Sequence, residues 1–251
     1  MSTLDKPPQE IYFFGTCLID VLYPNAGLAA MQLLRRAGVR VIFPQGQTCC
    51  GQPAFNSGYR DEARVVARRV LELFPRALPI VVPSGSCAGM LKHHYAELFA
   101  GDVDADRARA LSQNVYELTE FLVEVLGIRL EDQGAPVSVA IHTSCSARRE
   151  MGVAEHIERL VDQLAQVERR EQAYKAECCG FGGTFAVKQP EISAAMVRDK
   201  TDHIAATGAE VLLSQDCGCL MNIAGAFEQQ GRGPKVQHIA EFLWERTQPR
   251  E

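Results

Sequence analysis

Short apolar runs alternate along this chain with longer stretches in which apolar residues return every three or four positions. The runs at 11–14, 39–43, 80–82, 137–141 and 211–213 are rich in β-branched or aromatic residues and predict strands. Between them lie helical patterns. Leu28, Met31 and Leu34 fall near one face, and Gly38 suits the stop that follows. Val66, Val70, Leu73 and Phe74 have i, i+4, i+7, i+8 spacing, and Ile157, Leu160, Val161 and Leu164 form a similar stripe. Pro190 followed by Glu191 reads as the first turn of a helix running through ISAAMVRDKTDHIAATG. Such stripes report packing, and alternating strands and helices predict an α/β fold with helix-covered parallel sheets.

The pattern occurs twice. Cys17 is followed after 31 residues by Cys49-Cys50-Gly51 and, 35 residues later, by Cys87. Cys145 is followed after 32 residues by Cys178-Cys179-Gly180 and, 36 residues later, by Cys217, with Cys219 just beyond. The windows 115–122 and 236–243 both read V-x-x-[LI]-[TA]-E-F-L. An ordered set of matches of this kind predicts an internal duplication, with halves 1–132 and 133–251. The stretch GIRLEDQGAPVSV, which carries Gly134 and Pro136 and has no apolar period, serves as the link. The expected architecture is therefore two pseudo-repeated halves, each a small parallel sheet with flanking helices.

Composition narrows the class. Of 251 residues, 47% are apolar, and the formal charge is −5. This fits a globular protein that docks to other proteins, and it speaks against a nucleic-acid surface. The start, MSTLDKPPQE, has no basic segment leading into an apolar core, so no secretory signal is expected. No apolar run approaches the roughly 18 residues that cross a bilayer. The expected location is cytoplasmic, with no direct membrane span and any membrane association made through a partner.

In a reducing compartment, nine cysteines require an explanation other than disulfides, and an odd number cannot pair fully within the chain. A lone buried cysteine is usually core, but here all nine belong to the two series, and Cys17, Cys49, Cys87, Cys145 and Cys217 each come just after a predicted strand. Beyond the carboxyl ends of parallel strands is where open α/β sheets bind ligands. Zinc knuckles space their cysteines two to four apart, whereas directly adjacent cysteines cannot easily share one small ion. A wider iron–sulfur cluster lets neighbouring thiolates reach different irons. A glycine after each pair permits a tight turn, and Gly182 and Gly183 let backbone N–H groups approach anionic sulfides.

These motifs resemble the CCG, or cysteine-rich domain, family, whose members carry Cys, Cys-Cys-Gly and Cys-x-x-Cys in order, usually in two copies. The resemblance covers nearly the whole chain. Relatives include the B subunit of heterodisulfide reductase and the iron–sulfur subunit of glycolate oxidase. The segments GTCLID, CCGQPAFNSG, CCGFGGTF and CGCLMNI look most like the short stand-alone members that take part in L-lactate oxidation to pyruvate. The resemblance implies one or two [4Fe–4S] clusters held by Cys17, Cys49, Cys50 and Cys87, and by Cys145, Cys178, Cys179, Cys217 and Cys219. It also implies an electron-transfer role beside a ferredoxin-domain iron–sulfur protein and a further lactate-utilization subunit. Consistent with such a partner, this chain has no C-x2-C-x2-C run. Two departures matter. Met90 stands where the last cysteine of Cys-x-x-Cys is expected, which leaves zinc open for the first half. The second half ends in Cys217-Gly218-Cys219, whose five thiolates leave a non-cubane cluster open there. Cys219, preceded by glycine, is the preferred match to Cys87. A heterodisulfide-reductase-like or glycolate-oxidase-like redox subunit and a zinc-stabilised binding module are the alternative readings.

Other residues carry weaker signals. His142, three before Cys145, is a candidate donor to a cluster sulfur or proton relay, against the commoner reading of a histidine packed at a strand end. His93 and His94 read as a partly exposed helix face. The pairs Arg35-Arg36, Arg68-Arg69 and Arg148-Arg149 read as solvated faces, with Arg148 near enough to Cys145 to contact a substrate or partner. GFGG lacks the spacing of a dinucleotide fingerprint, and no Ser–His–Asp set stands out.

Overall fold

The computed structural model describes residues 7–248; the first six and last three residues, including much of the polar start, lie outside the described residues. Among the described residues, eight strands form two four-stranded, all-parallel sheets. The first contains β1 (Glu10–Phe13), β2 (Arg40–Ile42), β3 (Ile80–Val82) and β4 (Val115–Glu117) in the order β2-β1-β3-β4. The second contains β5 (Val137–Ile141), β6 (Val167–Arg169), β7 (Val211–Ser214) and β8 (Lys235–His238) in the order β6-β5-β7-β8. The registers match as well: Phe13 lies beside Val81 as Ile141 lies beside Leu213. The chain is an α/β protein built from two like halves.

Both faces of each sheet are covered, so the strands are apolar on both sides. Ile11, Phe13 and Val81 of the first sheet and Val139, Ile141 and Leu213 of the second share one central core with residues of the helices Pro24–Arg36 and Ile239–Arg246. The alternate residues Tyr12, Phe14, Ile80 and Val82 face an outer cluster that includes Cys50 and Cys87. Ala140 and Leu212 face the corresponding cluster with Cys179 and Cys219.

Sequence periodicity misplaced one face. In the helix Pro24–Arg36 the buried residues include Ala26, Ala29, Ala30, Leu33 and Leu34, whereas Leu28 is 53% exposed. Alanines allow the close approach of this helix to the central layer, so the apolar stripe follows small residues rather than the bulkiest ones. The helix stops where expected, at Gly38 with φ 85°. Pro190 is the first residue of the helix Pro190–Ala205, also as expected. Strands β4, β6 and β8 escaped the pattern because they are three or four residues long and interleave polar residues. The repeated windows 115–122 and 236–243 each begin within such an edge strand and run into a helix.

The strand order places the chemistry. β1 is joined to β2 on one side, and the chain then crosses to β3 on the other, so the sheet reverses direction between β1 and β3. The second sheet reverses likewise between β5 and β7. Beyond the carboxyl ends at such a reversal, adjacent loops diverge and leave a crevice. Cys17 and Cys87 follow β1 and β3; Cys145 and Cys219 follow β5 and β7.

Candidate metal centres

In the first half, β1 runs into a loop that ends at Thr16, whose hydroxyl accepts from the Ile19 N–H and caps the helix Cys17–Leu22. Cys17 is thereby the first helical residue. The Gln47 side chain fastens the loop of the cysteine pair to the strand end: its amide donates to the carbonyls of Phe13 (2.9 Å) and Pro44 (3.1 Å), and its oxygen accepts from Gly15 N–H at 2.8 Å. Cys49 and Cys50 follow. Gly51 adopts φ 87°, and its N–H donates to Cys49 Sγ at 3.4 Å. Cys50 Sγ lies 3.3 Å from Cys87 Sγ, and Cys87 occupies the first turn of Gly85–Gly89, capped by Ser84. The buried Tyr95 hydroxyl donates to the Cys50 carbonyl at 3.0 Å.

The second half repeats the construction. Ser144 caps Cys145–Arg149, and Cys145 is its first residue. Gln172 donates to Ile141 O at 2.7 Å, as Gln47 does to Phe13 O. Gly180 has φ 79°, and its N–H donates to Cys178 Sγ at 3.4 Å. Cys179 Sγ lies 3.0 Å from Cys219 Sγ. Asn222 takes the role of Tyr95, donating to Cys179 O at 2.7 Å. Asp216 begins the helix Cys217–Gln230 as Ser84 begins Gly85–Gly89, so Cys219 occupies the position of Cys87, and Cys217 that of Gly85.

Each half thus gathers four thiols from three separated segments. All nine cysteines are free. Cys49 is held well below the ordinary thiol range by hydrogen bonds from the Cys17 and Cys50 thiols, and Cys178 by those from Cys145 and Cys179. Their donors Cys17 and Cys145 are correspondingly pushed up. Cys50, Cys87, Cys179 and Cys219 are buried, while Cys17, Cys49, Cys145 and Cys178 are partly exposed. A soft, thiophilic metal or metal–sulfur group fits this donor set. Cys217 is buried too, and burial pushes its thiol up; the sulfur it feels most strongly is that of Cys87 in the other half.

The second centre contains two buried nitrogen groups. His142 is fully buried, and neither ring nitrogen has a hydrogen-bond partner among the described residues. Its ligand atom and those of Cys179 and Cys219 all lie within 4.8 Å of one another. Burial pushes its pKa down to about 3, so the ring is neutral. Lys200 is likewise fully buried, and its ammonium donates to Tyr174 O at 3.2 Å. Burial lowers its pKa, while Glu177 and the sulfurs of Cys179 and Cys178 pull it back up. Orphaned buried polar atoms beside converging thiols are what an anionic metal–sulfur guest would satisfy.

Segments that carry the two thiol groups meet across the junction of the halves. Ser57, just after the first cysteine-pair loop, and Thr184, just after the second, bring their hydroxyls within 2.6 Å. Asp216 accepts from Ser86 N–H at 2.9 Å, directly beside Cys87. A cleft of about 360 Å³ lined by Thr16, Cys17, Gln47, Thr48 and Cys49 opens the first centre to solvent.

Of the other residues singled out in the sequence, Arg148 donates to Thr143 Oγ1 and to Lys175 O (3.0 Å), which anchors the loop ahead of Cys178. His94 stacks on Phe55 with ring centroids 4.9 Å apart and faces Glu97 and Glu150. Sequence reading missed Gln47, Gln172, Tyr95, Asn222, Asp216 and Lys200. A signal existed for Lys200, which shares the buried face of its helix with Val197, Thr201 and Ile204. A lysine in an apolar stripe calls for an anion.

The profile of the family described as "Cysteine-rich domain" (CCG) matches residues 11–92 and 139–224. Lactate utilization protein A of Shouchella clausii is 47% identical over 238 residues, spanning 94% of this chain and 98% of that protein. Lactate utilization protein A 2 of Bacillus cereus is 43% identical over 236 residues, with the same coverage. A crystal structure of a hypothetical protein from Helicobacter pylori superposes with a TM-score of 0.61 at 11% identity. It covers 100% of this chain, which spans 52% of that one, and the likeness is one of fold alone.

Proposed function

Because the chain belongs to the cysteine-rich domain (CCG) family, we propose that it is the iron–sulfur electron-transfer subunit of a complex that oxidises L-lactate to pyruvate. The observation that carries the reading is the pair of four-thiol groups, Cys17, Cys49, Cys50 and Cys87 in one half and Cys145, Cys178, Cys179 and Cys219 in the other. Each would hold one [4Fe–4S] cluster, which when bound supplies one-electron transfer. Lactate comes from the names of the relatives. The division into repeats 1–132 and 133–251 accords with one such group in each half.

The chain's own residues serve this task in distinct ways. Gly51 and Gly180 turn the backbone so that their N–H groups reach a cysteine sulfur. Hydrogen bonds to sulfur are one of the levers by which a protein sets a cluster's potential. Gln47 and Gln172 fix the loops to the strand ends. Partial exposure of Cys17, Cys49, Cys145 and Cys178 leaves each centre an edge near the surface, where a partner can exchange electrons. A ferredoxin-domain iron–sulfur protein and a further lactate-utilization subunit are the proposed partners. Among the described residues no helix is long and apolar enough to cross a membrane, and we place the chain in the cytoplasm.

The test is genetic and chemical. A host lacking this chain should lose growth on L-lactate and regain it with the wild-type gene but not with Cys50→Ser or Cys179→Ser. Unimpaired lactate oxidation in the deletion strain would refute the assignment.

A further inference from the structure

Matching the two halves residue by residue exposes a difference at their centres. Phe14 N–H donates to Val81 O at 3.0 Å, and His142 N–H donates to Leu213 O at 2.8 Å. His142 therefore takes the place of Phe14, on the equivalent sheet face, beside Cys179 and Cys219 where Phe14 packs with Cys50 and Cys87. The next correspondence comes from the glycines. A Cβ on Gly51 would meet Ala63 O at 3.3 Å, and one on Gly180 would meet Ser193 O at 2.7 Å. Seven residues further along the two helices stand Val70 and Lys200, both fully buried. An aromatic ring and a valine thus wall the first centre where an imidazole and an ammonium wall the second.

We infer that His142 and Lys200 are positioning residues that make the second thiol group the more readily reduced of the two centres. The inference rests on the iron–sulfur reading above. Reduction adds negative charge to a site. A buried ammonium and an imidazole whose nitrogen lies within 4.8 Å of the Cys179 and Cys219 sulfurs, free to donate to them, both favour the more negative state, and burial leaves their effect largely unscreened. Lys200 has no ion-pair partner among the described residues. Glu177, the carboxylate it feels most, is engaged by His203 Nδ1 at 2.9 Å. Arg148, whose charge is felt at His142, adds to the same field. The opposing group is Asp216, which is felt by Cys219 and Cys217. Its carboxylate is directed at Ser86 N–H beside Cys87, so its charge weighs on both centres, and burial pushes it toward the neutral form. Phe14 and Val70 offer the first centre no comparable donor.

The experiment is a redox titration of the anaerobically purified, cluster-loaded chain, followed by electron paramagnetic resonance. Two midpoints are expected, and the upper signal should vanish in Cys219→Ser and persist in Cys87→Ser. Lys200→Met and His142→Phe should each lower the upper midpoint and leave the lower one in place. At a potential near the wild-type upper midpoint, the ratio of reduced to oxidised second centre should fall on the order of tenfold in Lys200→Met. Lys200→Arg should restore it, and Phe14→His should raise the lower midpoint, a gain that needs no change in the second half. Iron and labile sulfide in each variant separate a shift in potential from loss of a centre. An unmoved upper midpoint in a fully loaded Lys200→Met and His142→Phe pair would overturn the inference while leaving the iron–sulfur reading intact. So would survival of the upper signal in Cys219→Ser. Absence of iron and of both signals in the wild-type chain would overturn the two together.

Discussion

Cys179 Sγ stands 3.0 Å from Cys219 Sγ, although 39 residues separate them along the chain and Cys217 is nearer in sequence. The contact reproduces that of Cys50 with Cys87. Cys219→Ser should therefore remove about half of the bound iron and labile sulfide, since one of two equivalent thiol groups loses a donor. Cys217→Ser, at the position of Gly85, should leave most of both in place. Metal analysis of the two variants side by side checks this, and equal losses would contradict it.

The turn after each cysteine pair depends on glycine. Gly180 has φ 79°, and a Cβ there would stand 2.7 Å from Ser193 O. Gly180→Ala should cost on the order of 1–3 kcal/mol and reduce cluster content. Gly225, in the exposed middle of Cys217–Gln230, has nothing within 4 Å of its would-be Cβ. Gly225→Ala should stabilise by about 0.5–1 kcal/mol. Urea midpoints measured together would show the opposite signs.

Glu117 caps Leu118–Glu120 from a fully buried position, accepting from Thr119 N–H at 2.7 Å and Glu120 N–H at 3.2 Å. Burial raises its pKa to about 8, against an ordinary value of 4.5, despite those hydrogen bonds. Between these values the folded chain keeps a proton that the unfolded chain has released. Its contribution to stability is thus full below about pH 4.5 and declines as pH rises toward 8, by about 1.4 kcal/mol per unit crossed. Glu117→Gln keeps an acceptor and loses the proton. The difference in unfolding free energy, variant minus wild type, should grow from pH 5 to pH 8; a constant difference would contradict the assignment.

Asp132 and Arg246 form a buried pair at 2.7 Å that ties the link between halves to the final helix. The Asp132 carboxylate also accepts from Gly134 and Gln166 N–H. Asp132→Ala should cost about 3–5 kcal/mol, because it strands a buried guanidinium. Asp106→Ala, which breaks the exposed pair with Arg109, should cost less than about 1 kcal/mol. Unfolding curves of both variants test the contrast.

The duplicated architecture was readable because the cysteine spacing recurs within the chain although most other residues differ between the halves, and because five of the eight described strands are apolar runs. The edge strands β4, β6 and β8 were not readable, since three or four residues with interleaved polar side chains carry no periodicity. Cysteine placement just after strands was legible, and with the family resemblance so was the grouping of the thiols in each half; the particular contacts of Cys50 with Cys87 and of Cys179 with Cys219 were not, because they depend on which strands sit side by side. Tyr95 and Asn222 bond the same carbonyl in their respective halves yet differ in type and in offset from the nearest cysteine, so no repeat could show them. Lys200 was visible as a charge on an apolar face, but its neighbours Cys178 and Cys179 come from a different segment.

The most direct test of the central claim is the metal and sulfide content of the chain purified without oxygen. The account predicts iron and acid-labile sulfide in comparable amounts, well above one atom of each per chain, and their loss from one half in Cys50→Ser or Cys179→Ser. Folded, colourless protein with stoichiometric zinc and no labile sulfide, even after anaerobic reconstitution with iron and sulfide, would contradict it.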